Sequence, residues 1–310
     1  MRVFVTGATG AIGTRLVPQL AAAGHDVTAT TRSPAKVDGL SALGARPVLV
    51  DGLEAAAVTK AVADAEPDAI VHQMTALSGT ADLRHFDRWF ATTNELRTKG
   101  TDILLNAARE IGVKRLVAQS YTGWTNPRTG SQVKTESDGL DPQPLGVQRE
   151  SLAAIRYVEE RVPVAELDGI VLRYGNFYGP GASEPLVELI RKRRFPVIGD
   201  GAGVWSWIHL DDAAAATVAA LQRGASGIYN VTDDEPAPVS EWLPFLAEAV
   251  GAKPPMRFPK WLARLVAGPV AVRWMTEGRG SSNARAKRDL AWQPRWSSWR
   301  DGFRDGLGEA

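Results

Sequence analysis

The chain has 310 residues, no cysteine, four histidines and a formal net charge of +1. Such a length supports a large core, split into two lobes or not. The balanced charge gives no basis for steering toward nucleic acid or a membrane, and the missing thiols exclude disulfides, thiol catalysis and thiolate metal sites. The scattered histidines offer no metal-ligand spacing, so no metal is expected. No secretory leader pattern precedes the first apolar segment and no segment is apolar enough to span a bilayer, so a cytoplasmic location is expected.

The first predicted strand, Val3–Thr6, runs into Gly7-Ala8-Thr9-Gly10-Ala11-Ile12-Gly13. A helix over Ile12–Ala23 follows, with Ile12, Leu16, Val17 and Leu20 as its apolar stripe, Gly24 as its end and Pro18 as an expected kink or lost hydrogen bond. Glycines at this spacing between a strand and a helix make the phosphate turn of a dinucleotide site. Gly7 permits the sharp turn, Gly10 leaves room for the pyrophosphate, and Gly13 lets the helix pack on the strand. Gly7, Thr9, Gly10, Ala11, Ile12 and Gly13 are therefore expected to hold the cofactor, at the uncapped positive end of the helix.

The second strand, Val27–Thr30, ends without the carboxylate that binds ribose hydroxyls. Arg32 and Ser33 stand there instead, and a planar guanidinium suits a 2′-phosphate. NADP is therefore the expected cofactor, with NAD as the alternative. The third strand, Pro47–Val50, leads to Asp51 and Gly52, expected near the adenine.

A helical stretch spans Pro34–Leu43. Predicted helices at Leu53–Ala63, Asn94–Glu110 and Gly146–Arg161 then alternate with strands at Ala69–Gln73, Arg115–Gln119 and Ala165–Arg173. This alternation predicts an α/β fold: a Rossmann-type parallel sheet with helices on both faces. The dinucleotide-binding domain is placed at residues 1–172. A smaller C-terminal substrate lobe is placed at 173–310, with residues 203–231 returning to the main domain. Beyond it, a helix is expected over Leu210–Leu221, opened by Asp211 and Asp212, then a strand at Gly227–Val231 and a helix from Glu241 capped by Ser240. Most of the ten tryptophans lie from Trp205 onward and are read as core in preference to pocket lining.

Several segments together resemble the extended short-chain dehydrogenases/reductases of the NAD-dependent epimerase/dehydratase type. They are the glycine turn, Asp68-Ala69-Ile70-Val71-His72-Gln73-Met74-Thr75-Ala76, the helix at Asn94, Leu172-Arg173-Tyr174-Gly175-Asn176-Phe177-Tyr178-Gly179-Pro180-Gly181, Ile208-His209-Leu210-Asp211-Asp212 and Leu290-Ala291-Trp292-Gln293-Pro294. The resemblance implies a dinucleotide at the sheet edge, a substrate under the C-terminal lobe, and pairing as a homodimer through helices beside the fourth and fifth strands. It also implies a Ser or Thr, a Tyr and a Lys that move a proton at the substrate oxygen, the Tyr and Lys four residues apart on one helix. Here Leu145 stands at the Tyr position and Arg149 at the Lys position. Leucine transfers no proton, while arginine can hold ribose hydroxyls and stay cationic.

On this resemblance Thr122 takes the hydroxyl role, with Ser120 pointing to the same side of the strand. Tyr121, turned inward by a bulge or loop start, and Glu136 are the candidates for a relocated acid/base. Met74, Thr75, Ala76 and Arg149 are expected at the cofactor. Tyr174, Asn176, Phe177 and Arg279 are expected at the substrate. The leading expectation is an NADP(H)-dependent oxidoreductase with a non-standard acid/base, acting on a carbonyl or hydroxyl group of a small molecule. Scattered basic residues and abundant aromatics favour a natural-product intermediate over a sugar nucleotide. The alternatives are a redox-neutral epimerase, dehydratase or cyclase, and a non-catalytic dinucleotide sensor or partner protein.

Overall fold

Alternation along strand β1 (Arg2–Thr6) sends Val3 and Val5 to one face and Phe4 to the other, and all three are buried. A strand buried on both faces needs helices on both sides. The computed structural model describes residues 1–77 and 82–308. It adds β2 (Asp26–Thr31), β3 (Arg46–Leu49), β4 (Ala69–His72), β5 (Arg115–Tyr121), β6 (Asp168–Tyr174) and β7 (Gly227–Val231). These form one sheet in the order β7-β6-β5-β4-β1-β2-β3, with every pairing parallel.

The main helices are α1 (Gly13–Ala22), α2 (Val37–Ala42), α3 (Ala55–Ala65), α4 (Phe86–Glu95), α5 (Thr101–Ile111), α6 (Arg149–Arg161) and α7 (Leu210–Gln222). Leu16, Val17 and Leu20 of α1 pack with Leu210, Ala213 and Ala220 of α7 over Val3 and Val5. On the opposite face Val58 and Val62 of α3, Leu104 and Ala108 of α5, and Val158 of α6 cover Phe4, Ile70 and Leu116. The result is a Rossmann-type sheet between two helical layers. Helix α1 continues through Pro18 and is closed by Gly24 at φ +77°, which lets His25 N–H reach back to the Leu20 carbonyl.

Two sequence expectations shift. The helix expected from Asn94 begins at Phe86, and α4 joins α5 through a π-helical turn at Leu96–Gly100. The wider turn breaks the 3.6-residue repeat, so the apolar pattern before it reads out of phase. The helix expected to be capped by Ser240 runs Val239–Ala249 with Pro238 before it, and Ser240 lies inside its first turn.

The C-terminal lobe is built on short strand pairs. Asn176–Tyr178 pairs with Trp207–His209, and Val204–Trp205 with Ala237–Pro238. Its core gathers Trp205, Trp207, Trp242, Trp299 and Phe303. Gly280–Ser281 pairs with Val133–Lys134 and ties the lobe to the loop after β5.

Candidate functional site

Strand order reverses around β1 and β4. The connection leaves β1 toward β2 on one side and β4 toward β5 on the other, so the carboxyl ends of β1 and β4 frame a crevice. A cavity of about 720 Å³ opens there. At one end it is lined by Gly7, Thr9, Gly10, Ala11, Ile12 and Gly13, with Arg32, Ser33 and Lys36 beyond them. Gly7 has φ +74°, and a Cβ there would stand 2.3 Å from the Gln73 carbonyl oxygen. Helix α1 begins with no side-chain cap; Thr14 and Arg15 N–H bond the Gly10 and Ile12 carbonyls, and among the described residues the N–H groups of Ala11, Ile12 and Gly13 meet no partner and remain available to an anion. A bare glycine turn beside uncapped helix donors fits a pyrophosphate.

The other end is polar at its floor and aromatic at its walls. Gln73, Thr75 and Ala76 follow β4, and Ser120 and Tyr121 end β5. Phe86, Trp89 and Phe90 come from α4, Trp124 from the loop after β5, Phe177 from the short strand Asn176–Tyr178 and Trp274 from the C-terminal lobe. Phe86 stacks on Phe90 at 4.5 Å between ring centroids and meets Trp124 edge-on at 4.9 Å.

Tyr121 is the phenol on this wall. Its hydroxyl donates to Asn176 Oδ1 at 2.8 Å, and its ring lies nearly parallel to Trp124. Burial pushes the hydroxyl well above the usual phenol range, so it stays protonated. Ser120 Oγ donates to Glu159 Oε1 at 2.8 Å, and Glu159 also accepts from Arg173 Nε at 2.7 Å and Nη2 at 2.6 Å. That carboxylate is fully engaged within a buried pair.

Arg97, on the π-helical turn, lines the same end and is only 5% exposed. Its Nε and Nη1 have no hydrogen-bond partner among the described residues. Its guanidinium carbon lies 5.6 Å from the Phe90 ring centroid. Burial lowers its pKa to about 10, with Glu159 opposing the shift, and it remains a cation at neutral pH. Sequence reading missed Arg97 because the phase break hid it inside an ordinary helical stretch.

The expected site residues divide sharply. Gly7, Thr9, Gly10, Ala11, Ile12, Gly13, Arg32, Ser33, Thr75, Ala76, Tyr121, Asn176 and Phe177 line the cavity. Several others lie outside its lining, which corrects their expected placement. Thr122 is fully buried and bonds Asn126 and Ser281, knitting β5 to the C-terminal lobe. Glu136 Oε1 accepts from Asn230 N–H at 2.8 Å, which commits it to holding β7. Tyr174 lies below the cavity, its hydroxyl held by Gln73 and Thr217, and burial raises it to about 12. Arg279 turns its Nη1 to the carbonyls of Glu277 and Gly278.

Asp51 is exposed and accepts from Leu53 N–H, while Gly52 packs under the buried Met74. Leu145 packs beside Phe86 and Phe90, and Arg149 is exposed at the start of α6. Of the acid/base candidates drawn from the resemblance, only Tyr121 lines the cavity. Ser120 and Tyr121 reach the cavity, and Thr122 does not.

Residues 3–232 match the model of the NAD dependent epimerase/dehydratase family. A 3-diazoavenalumate denitrifying reductase from Streptomyces sp is 42% identical over 98% of this chain and 99% of its own length. Among solved structures, MoeE5 in complex with UDP-glucuronic acid and NAD is 25% identical, with a TM-score of 0.72 over 99% of this chain and 98% of its own. DesIV, the dTDP-glucose 4,6-dehydratase from Streptomyces venezuelae, is 24% identical, with a TM-score of 0.76 over 99% of this chain and 96% of its own.

The cofactor expectation is corrected from NADP to NAD. MoeE5 and four further solved relatives carry NAD, against one human epimerase family protein with NADPH. The physical weakness in the NADP reading lies at the end of β2. The Arg32 side chain is exposed, and Thr31 Oγ1 is occupied by Ser33 N–H in the local turn. A hydrated, unanchored guanidinium is not pre-organised for bidentate phosphate binding. Among the described residues no helix is long and apolar enough to cross a membrane, and no cluster of His, Asp or Glu is arranged to hold a metal.

Proposed function

Because the chain belongs to the NAD dependent epimerase/dehydratase family, we propose that it is an NAD(H)-dependent reductase of an aromatic small molecule, and that its reaction needs a hydride but no side-chain proton donor. The observation that carries this reading is the state of Tyr121. It is the phenol at the reacting end of the cavity, its hydroxyl is already donated to Asn176, and burial keeps the proton on. In this reading Leu145 and Arg149 occupy the positions of a proton-transferring Tyr–Lys pair, which supports a reaction without side-chain proton transfer.

A bound reduced nicotinamide supplies a hydride, and an aryl diazonium carbon takes it without any proton: the new C–H bond receives the hydride electrons, the C–N electrons leave with N2, and the nicotinamide is oxidised by two electrons. Reductive loss of nitrogen from a diazo compound is what the 42%-identical relative is named for. The chain's own residues have separate tasks in this reading. The Gly7–Gly13 turn, through the N–H groups of Ala11, Ile12 and Gly13, holds the pyrophosphate, and Thr75 and Ala76 hold the cofactor beyond it. Phe86, Phe90, Trp124 and Phe177 confine a flat ring and exclude water. Asn176 keeps the Tyr121 proton engaged.

The test uses the full chain, NADH and 4-carboxybenzenediazonium. The expected result is NADH oxidation above the protein-free rate, with one N2 and one benzoate per NADH. Y121F should change kcat by less than about threefold. A general acid contributes roughly 10²- to 10⁴-fold, so a hundredfold loss in Y121F would refute the reading.

A second reading has its own support. The family and the solved sugar-nucleotide epimerases and dehydratases favour a redox-neutral reaction over the NADP(H)-dependent carbonyl chemistry expected first. Turnover of UDP-glucose with no net change in NAD absorbance would move the assignment there.

A further inference from the structure

We propose that Arg97 is the anion-recognition residue of the aromatic end of the cavity, and that the substrate is a planar aromatic carboxylate. The inference rests on the reading of this cavity as a site for an aromatic molecule.

Three buried ionic side chains meet beside the end of β5: Arg97, Arg173 and Glu159. Glu159 spends both oxygens on Arg173 and Ser120, and no carboxylate of the described residues lies within salt-bridge distance of Arg97. The group therefore carries one uncompensated positive charge away from bulk water. An isolated buried guanidinium is costly, and a chain retains one where a ligand completes it.

Geometry then selects the ligand. Each unpartnered atom, Nε on one side and Nη1 on the other, completes with Nη2 an edge of the planar guanidinium fork, and a carboxylate meets such an edge with two parallel hydrogen bonds. Phe90 lies under that fork, and Phe86 and Trp124 continue the wall, so the anion must be carried on a flat apolar body. A cofactor phosphate is the other source of negative charge in this cavity. The glycine turn and α1 already supply its donors at the opposite end, which assigns Arg97 to the substrate.

Calorimetry on the NAD-loaded full chain tests this with cinnamate and its neutral isostere cinnamamide, and needs no turnover. Wild type should prefer cinnamate by about ten- to a hundredfold, the range for losing a charged hydrogen-bonded contact. R97M should bind the two within about twofold of each other, and R97K should fall between. NAD affinity of the free protein should be the same in all three. Ligand-free R97M should melt no lower than wild type, because the substitution removes an unpaired buried charge.

Three outcomes would overturn the proposal: an unchanged preference in R97M, no cinnamate binding by wild type, or an effect of R97M on NAD affinity instead. A markedly lower melting temperature for R97M would assign Arg97 to the fold and also overturn it. Cinnamate discrimination without diazonium reduction would leave Arg97 as proposed and refute only the reductase reading.

Discussion

Replacing Glu159 with alanine tests the electrostatics under the cavity. The carboxylate accepts from Ser120 Oγ at 2.8 Å and from Arg173 Nε and Nη2 at 2.7 and 2.6 Å. The Glu159 and Arg173 side chains are 4% and 3% exposed, so solvent screens the pair little. Breaking a buried pair by removing one partner costs about 3–5 kcal/mol, because the surviving charge is left without compensation. Here E159A leaves two buried guanidiniums, Arg173 and Arg97, which argues for the upper part of that range. Unfolding entropy of roughly 2.1 cal/mol/K per residue over 310 residues makes each kcal/mol worth about 1.5 °C. The expected fall in Tm is therefore about 6–8 °C, read by scanning calorimetry of the ligand-free protein at neutral pH. The double variant E159L/R173M should recover most of that loss, since apolar pairs of similar volume replace buried ion pairs with little penalty. A fall of less than about 2 °C in E159A would show that the charges are solvated, and would sink the argument for Arg97 with it.

Two further outcomes follow from named contacts. G7A places a Cβ 2.3 Å from the Gln73 carbonyl oxygen at φ +74°, whereas G24A at φ +77° meets nothing within 4 Å. G24A should cost only the left-handed conformation, about 1–2 kcal/mol. G7A should lose more than that and weaken NAD binding at least about tenfold, and equal melting temperatures for the two would refute the clash. His72 is buried between the Leu96 carbonyl and Met74 N–H, and burial lowers its pKa to about 4. The unfolded chain then binds a proton that the folded chain refuses between about pH 6.5 and 4, so this contribution is whole above about pH 6.5 and shrinks on acidification. Urea titrations should show wild type losing about 1.6 kcal/mol more than H72N between pH 6.5 and 5. The difference between the two proteins cancels Asp233, whose raised pKa acts with opposite sign, and identical losses would contradict a neutral buried imidazole.

The sheet was legible because each strand is a short apolar run set off by glycine or a cap. Gly227–Val231 and the helix from Leu210 were read nearly to the residue for that reason. The phosphate turn was legible because glycine spacing there answers to backbone sterics alone. What escaped depended on phase and register. Thr122 was given the hydroxyl role by the resemblance, with Ser120 put on its side by strand alternation, and Tyr121 was expected inward only through a bulge or loop start; at the end of β5 Tyr121 and Ser120 both line the cavity while Thr122 is buried in the interior. Arg97 escaped because a guanidinium in a helical sequence ordinarily signals solvent. Arg32, by contrast, had the right chemistry for a phosphate, but residue type alone does not show whether a side chain is anchored.

The π-helical turn at Leu96–Gly100 has a consequence for how this cavity can change. It carries one residue more than an ordinary α-helix would use for the same advance. Each helical residue is worth about 100° of rotation. Deleting one residue from the turn would let α4 and α5 fuse into a regular rod, and would swing either the aromatic face of α4 or the core face of α5 out of register. The cationic corner and the aromatic wall are thus gained or lost together by a single-codon length change, whereas the glycine turn at the other end would be untouched.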